Sequence, residues 1–439
     1  MKEFEETIKQ LFEYIHEYAF NNLELTPENP IQNWTVERRN KFTEYVHIGF
    51  IKGQELVLDN IIKYESNLSE LNSNLKLCRR EKNKDLEKTI QETISLINYK
   101  ISILRIFMDF IAWQFLGQQY YKVRRFYDMS KKYNSRPTLS MSNIESVKSA
   151  VDYYHSLSPL NFALISDLTS FIDIGDILLM DNSQVIPIEV KEGQKNKEIF
   201  DFLFKQKIPS NLEIIDDKFI KQSKRVLNQV KRGELLFNVL KDEKGIDPFT
   251  ELKTEVNSEA FELESYTLEF EKMISNLKDK NYSYNIIEDV ISIGIYQKNF
   301  IMAGKTLIPF LNKEMFGKDY PVFNFRHKIQ IPVTEPIFYL GLSKETIFDI
   351  LFGRINIVIS INIDKFIELC NLNGLDAGYL SKKETMKRKQ NGEMSMFEFE
   401  KQNIQVNGAL IDGLIYRMIF DFVKPLSIVK CLKIQSKGK

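Results

Sequence analysis

The most constraining feature is a pair of matched apolar repeats on either side of a charged break. Val57, Ile61, Tyr64, Leu68, Leu71, Leu75 and Cys78 alternate four and three apart, and Ile90, Ile94, Ile97, Ile101, Leu104, Met108 and Ile111 resume the alternation after CRREKNKD. A period of about 3.5 residues keeps one seam of a helix facing a partner helix. The break contains no proline, and its crowded like charges (Arg79, Arg80, Lys82, Lys84) suit an exposed turn. Residues 53–113 are therefore expected to form two antiparallel helices, an arm of roughly 38 Å at 1.5 Å per residue. The arm belongs to an expected helical domain over 1–140. Its seam reads either as a surface for a second copy or partner protein, or as two ordinary helices packing on each other.

Composition narrows the classes. With 439 residues, the length suggests two to four domains. Sixty basic residues balance 60 acidic ones, so any nucleic-acid contact must come from a local patch. Three cysteines (Cys78, Cys370, Cys431) without a CxxC argue against a disulfide scaffold or a thiolate zinc site, and fit a cytoplasmic protein. Four histidines (His16, His47, His155, His327) show no HxxxH or HxH spacing, which excludes His-rich zinc sites. The N-terminus MKEFEETIKQ lacks a signal-peptide pattern. The apolar run from Ile101 to Gly117 is interrupted by Arg105 and Asp109, so no membrane span is expected.

Basic and aromatic residues then interleave at Tyr120, Tyr121, Lys122, Arg124, Arg125, Phe126, Lys131, Lys132 and Arg136. Such a mixture can track a phosphate backbone, or simply form a solvated helix face. From about 142 to 240 the pattern changes. An amphipathic helix (Ile144, Val147, Val151, Tyr154) leads into FALIS, FIDIGDILLM and QVIPIEVKEG, with a turn at Asp181-Asn182, and a second helix runs from about Asp217 to Leu240. Helix, strands and helix in under 100 residues make a compact α/β unit. Beyond KDEKGIDPF, short strands (VISIGIY, KIQIPV, INIVISINI) mix with helices such as KETIFDILF, an expected α+β domain over 250–439.

Chemistry concentrates at Asp176, Glu189 and Lys191. In IPIEVKEG, strand alternation puts Glu189 and Lys191 on one face. Asp176 follows Gly175, where the backbone can approach a ligand or a neighbouring strand. Hairpin pairing would bring Asp176 near Glu189. Two carboxylates converging at a sheet edge repel unless a cation joins them, and hard oxygen donors suit Mg²⁺ better than zinc.

The stretch LISDLTSFIDIGDILLM…VIPIEVKEG resembles the core of the PD-(D/E)XK nuclease superfamily, with its restriction-endonuclease-like αβββαβ fold. The likeness spans residues 141–245, about a quarter of the chain. It implies that Asp176 and Glu189 are metal ligands, joined by the backbone carbonyl of Val190. Lys191 would position or activate the attacking water. Glu145 would match a glutamate on the helix before the sheet, and Gln222, with Arg225 beside it, the polar residues of the following helix. Gln222, Arg225 and Gln229 form a stripe at i, i+3 and i+7. One departure is that the family's proline is Gly175 here.

Each assignment has a structural rival. Asp176, Glu189 and Lys191 could be a strand-edge salt-bridge set, and Glu145 could complete a capping box with Ser142. Asp173 is expected to face away or sit at the strand entry, Asp167 to cap a turn in preference to standing in as an acidic ligand, and His155 to end a helix. Gly304-Lys305-Thr306 has Asn299 where a phosphate-binding loop needs glycine, and is set aside. The expected function is a Mg²⁺-dependent nuclease, with Mn²⁺ as a substitute metal. DNA is the expected substrate and the resemblance suggests bacterial defence against phage or foreign DNA. The alternative is a catalytically silent nuclease-like subunit that binds nucleic acid or scaffolds a complex. Besides Arg225, the expected nucleic-acid contacts are Lys122, Arg124 and Arg125.

Overall fold

The structure is a computed structural model. It describes all residues except 1, 26–33, 129–135, 137, 140–142, 182–183, 192–197, 200–201, 204, 206–216, 243, 250, 252, 256–262, 279, 298–312, 314–316, 319, 327–333, 391–402, 411 and 438–439. Lys131, Lys132, Ser142, the Gly304-Lys305-Thr306 tripeptide and the whole of the expected KIQIPV strand lie outside the described residues. The chain divides into two compact units, residues 1–256 and 257–439.

The first unit begins with α1 (Lys2–Phe12), a π-helical turn (Glu13–Glu17) and α2 (Tyr18–Asn22). The long helices α3 (Val36–Arg80) and α4 (Lys84–Phe115) follow. Thr35 caps α3, its side chain accepting from the Arg38 N–H. The two helices form the expected antiparallel hairpin. At its tip Lys82 takes φ +57°, while the Asn83 N–H bonds to the Cys78 carbonyl and the Lys82 N–H to that of Arg79. That is the bonding of a Schellman stop, here built on lysine rather than glycine. Asn83 then caps α4 by accepting from Leu86. None of the fourteen seam residues is exposed. At the tip Leu75, Cys78 and Ile90 form a buried cluster with Leu71 and Ile94 packed on it. The two helices thus pack on each other along the seam, the second of the two readings.

After α5 (Tyr120–Arg125) and α6 (Ile144–Leu157) come β1 (Phe162–Ile165), β2 (Ile177–Asp181) and β3 (Gln184–Ile188), an antiparallel sheet in that order, and then α7 (Asp217–Asp242). The helix–three strands–helix order matches the expectation. The final strand does not: β4 (Lys244–Ile246) pairs with β5 (Lys253–Glu255) in a separate ribbon.

All four β1 residues are buried. Its outer backbone edge, which would otherwise offer unpaired groups, is met by side chains. The Gln54 amide on α3 donates to the Ala163 carbonyl (3.1 Å) and accepts from the Ile165 N–H (2.9 Å). The His155 Nε2 accepts from the Ala163 N–H at 3.0 Å. Phe162 packs edge-on against Phe50 and Phe115 at 5.6 and 5.4 Å. Burying a ring of this size contributes roughly 2–3 kcal/mol. Described residues on either side of the expected 140/141 divide thus pack together within one compact unit.

The second unit carries α8 (Thr267–Ser275), a hairpin of β6 (Tyr282–Ile287) and β7 (Ile291–Gln297), β8 (Val322–Asn324), α9 (Lys344–Leu351), β9 (Ile355–Ile361) and α10 (Ile363–Leu372). Its antiparallel sheet has the order β6-β7-β9-β8. The seven β9 residues are all buried, as a central strand covered on both faces requires. Then β10 (Ala377–Tyr379), α11 (Lys382–Gln390), β11 (Ile404–Val406) and β12 (Ala409–Leu410) make a small sheet with one helix, and α12 (Asp412–Phe420) and α13 (Pro425–Lys437) end the chain. The protein is thus mixed α/β with a helical N-terminal region. Among the described residues no helix is long and apolar enough to cross a membrane.

Candidate active site

Asp176 sits immediately before β2, and Glu189, Val190 and Lys191 immediately after β3. The β2–β3 register, with Ile177 opposite Ile188, continues one step outward, and the Asp176 N–H donates to the Ile188 carbonyl at 2.7 Å. Gly175 makes this approach feasible. It has φ +82°, and a Cβ there would stand 3.1 Å from the Ile188 nitrogen and 3.2 Å from the Ile177 oxygen. A proline, fixed near φ −65°, cannot take that conformation. Glycine at this position is therefore a requirement of this hairpin entry.

The side chains converge. The Asp176 Oδ2 accepts from the Val190 N–H at 2.7 Å. The Lys191 ammonium donates to Glu189 Oε2 at 3.1 Å and to Gln229 Oε1 at 2.7 Å, while the Gln229 amide donates to the same Glu189 oxygen at 3.2 Å. Asn143, at the start of α6, donates to the Val190 carbonyl at 3.2 Å. Burial, reinforced by the Glu189 carboxylate, pushes the Asp176 carboxyl up to about 6, and Asp167 adds to the push. The Val190 N–H and the Lys191 ammonium pull the other way without prevailing. Desolvation is the larger part of that rise, and a bound cation would offset it.

The segment carrying Asp176 is anchored from behind. On α4 the buried Asp109 carboxylate accepts from the Ser170 N–H (2.7 Å) and hydroxyl (2.6 Å), and the buried Arg105 donates to the Thr169 carbonyl (3.3 Å). Thr169 closes the turn by donating to the Ser166 carbonyl at 2.7 Å. Asp173 accepts from the Asp128 N–H at 2.8 Å and pairs with Arg136 at 3.4 Å, so it does face away from the notch. Asp167 lies on the short turn Ser166–Leu168 as expected, yet its charge reaches Asp176.

Other candidates fall elsewhere. Glu145 is exposed on the first turn of α6, and the N-cap is Asn143, whose side chain serves Val190 rather than its own helix. On α7 the glutamine that meets Glu189 and Lys191 is Gln229, two turns beyond Gln222. Arg225 is exposed on the same helix. In the basic cluster, Arg125 pairs with the buried Asp247, and Arg124 donates to the Tyr127 carbonyl at 3.3 Å. These two guanidinium groups each have a partner within the fold. Lys122 is half-buried, with its ammonium 5.8 Å from the Tyr121 ring. His155 ends α6 and caps β1, as its position before the loop suggested. Asn143 was missed by sequence reasoning, because an N-cap asparagine ordinarily turns back to its own helix.

The donors present are hard oxygens: the Asp176 and Glu189 carboxylates and the Val190 carbonyl. They fit Mg²⁺ or Mn²⁺ by chemistry. Compared with known proteins, the chain matches no family model, no curated protein and no solved structure.

Proposed function

We propose that the protein is a divalent-metal-dependent nuclease whose centre is Asp176, Glu189 and Lys191. The observation that carries this reading is the convergence of two carboxylates and an ammonium at the end of one hairpin. There the Asp176 carboxyl is raised to about 6, chiefly through burial and then through the charge of Glu189. Asp176, Glu189 and the Val190 carbonyl would hold Mg²⁺, with Mn²⁺ as a substitute, and the metal would supply Lewis-acid polarisation of a phosphate and an acidified water. Gln229 orients the Lys191 ammonium, and Asn143 fixes the Val190 carbonyl. The ammonium neutralises Glu189 when no cation is bound, and is placed to stabilise charge developing at a phosphate. DNA is the proposed substrate, and a role in bacterial defence follows from the resemblance alone.

The closed Glu189–Lys191–Gln229 ring favours one second reading, a module that binds nucleic acid without cutting it. Incubating the purified protein with plasmid, single-stranded DNA and RNA, in Mg²⁺ or EDTA, separates the two. Cleavage dependent on Mg²⁺ and reduced by about 10²-fold or more in Lys191→Ala and Glu189→Ala supports the nuclease. Undiminished cleavage in both variants removes the site, and binding without cleavage gives the second reading.

A further inference from the structure

The ring of Glu189, Lys191 and Gln229 already holds a cation, the Lys191 ammonium, at a carboxylate that the nuclease reading gives to a divalent metal. Glu189 and Lys191 leave the end of β3 two residues apart, so a short tether keeps the charge beside its carboxylate. Two donors, the ammonium at 3.1 Å and the Gln229 amide at 3.2 Å, fall on the same oxygen, Oε2. Gln229 also accepts from the ammonium at 2.7 Å, and so grips both partners from α7. Only one orientation of that amide serves. An ammonium has no acceptor and a carboxylate no donor, so the glutamine turns its oxygen to Lys191 and its NH₂ to Glu189. The ring is open to an ion from solvent, the Glu189 and Lys191 side chains being 29% and 28% exposed.

A divalent ion on either oxygen of Glu189 would face that ammonium at close range, and like charges near a protein surface repel more strongly than in bulk water. On Oε2 it would also need lone pairs that the two donors now use. At Asp176 the competing donor is the Val190 N–H, which carries no net charge and is part of the backbone. The two carboxylates of the notch therefore differ. One meets a fixed neutral donor, and the other a mobile cation held by a latch.

We infer that the Lys191 ammonium and a divalent cation compete for Glu189, with Gln229 as the latch that holds the ammonium there, so that metal binding releases the lysine. The inference rests on the nuclease reading and deepens it, giving the metal site a closed resting state. Mn²⁺ titrated into the full chain, with the signal of the free ion in electron paramagnetic resonance as readout, tests it without turnover. Lys191→Ala is expected to bind Mn²⁺ roughly tenfold more tightly than the wild type. Loss of a positive charge favours any nearby cation, so Gln229→Ala is the stricter variant: it keeps every charge and removes the latch. It is expected to bind Mn²⁺ about threefold more tightly, even though the same substitution slows cleavage. Unchanged or weaker Mn²⁺ affinity in Gln229→Ala overturns the inference. Asp176→Asn marks the site. Mn²⁺ binding that Asp176→Asn abolishes and Gln229→Ala does not tighten removes the latch alone and leaves the nuclease reading standing. No Mn²⁺ bound at millimolar concentration by the wild type or by either ring variant removes that reading, and the latch with it. Binding by the ring variants but not by the wild type supports the latch in its strongest form.

Discussion

Two aspartates, one in each unit, show how differently the fold can treat a carboxylate. Asp364, at the start of α10, takes donors from Lys318 (2.6 Å), Tyr320 (2.9 Å) and Tyr379 (2.7 Å). Partial burial works against its charge, but those three donors hold its carboxyl below the ordinary value. Asp176 takes one backbone N–H, and its carboxyl moves the other way, to about 6, chiefly through burial and then through the charge of Glu189. Sequence alone would class both as acidic residues beside a structural element. Burial, donors and charged neighbours together separate them: three protein donors outweigh partial burial at Asp364, whereas at Asp176 deeper burial and the Glu189 charge outweigh one N–H and the Lys191 ammonium.

The comparison breaks first on activity. Asp176→Asn is expected to lower Mg²⁺-dependent cleavage by about 10²-fold or more, whereas Asp364→Asn should leave it within about twofold; plasmid-nicking rates measure both. Equal losses would mean that the contrast between the two carboxylates has no bearing on function.

The buried Asp109 sharpens it next, because it is satisfied by Ser170 and yet raised to about 6, burial outweighing its two hydrogen bonds. A carboxyl raised in the folded state binds a proton there that the unfolded chain does not hold between about pH 4 and 6. Its contribution to stability is therefore most favourable below about pH 4, and it falls as pH rises to about 6 and is flat above. The wild type minus Asp109→Asn stability difference should follow that slope, with a total on the order of 3 kcal/mol. Urea denaturation at pH 4, 5, 6 and 7 reads it, and a flat difference refutes the assignment.

A smaller effect is expected from Gln229→Ala, roughly a tenfold loss in kcat with KM little changed, since it orients Lys191 and lies outside the proposed metal-ligand set. Smaller again, Asp364→Ala should destabilise the second unit by about 1 kcal/mol, the partial exposure of its ion pair limiting the loss. Faster hydrogen exchange in α10 would register it.

Much of the first unit was legible in the chain. The paired apolar repeats foretold the α3–α4 hairpin, because a 3.5-residue period can be buried only by another helix. Strand alternation continued past Ile188 anticipated Glu189 and Lys191 side by side, although both lie beyond the end of β3, and Gly175 marked a close backbone approach. The anchors were not legible. Arg105 and Asp109 read only as interruptions in an apolar helix, although ionisable residues at i and i+4 in such a run signal buried partners. Those partners, Thr169 and Ser170, lie more than sixty residues away. The glutamine stripe on α7 was visible, but the member that meets Glu189 and Lys191 was not, since those partners lie some forty residues earlier in the chain.

Local periodicity and spacing by themselves determined the hairpin, the three strands and the residues able to carry charge chemistry, because those features depend on neighbours within a few turns. Only the tertiary structure decided which charges meet. It paired Arg125 with Asp247, bonded Asn143 to the Val190 carbonyl, sealed β1's edge with Gln54, and buried Asp176 within reach of the Glu189 charge. Electrostatic and hydrogen-bond energies fall steeply with separation and depend on burial, and neither quantity exists until distant segments are brought together.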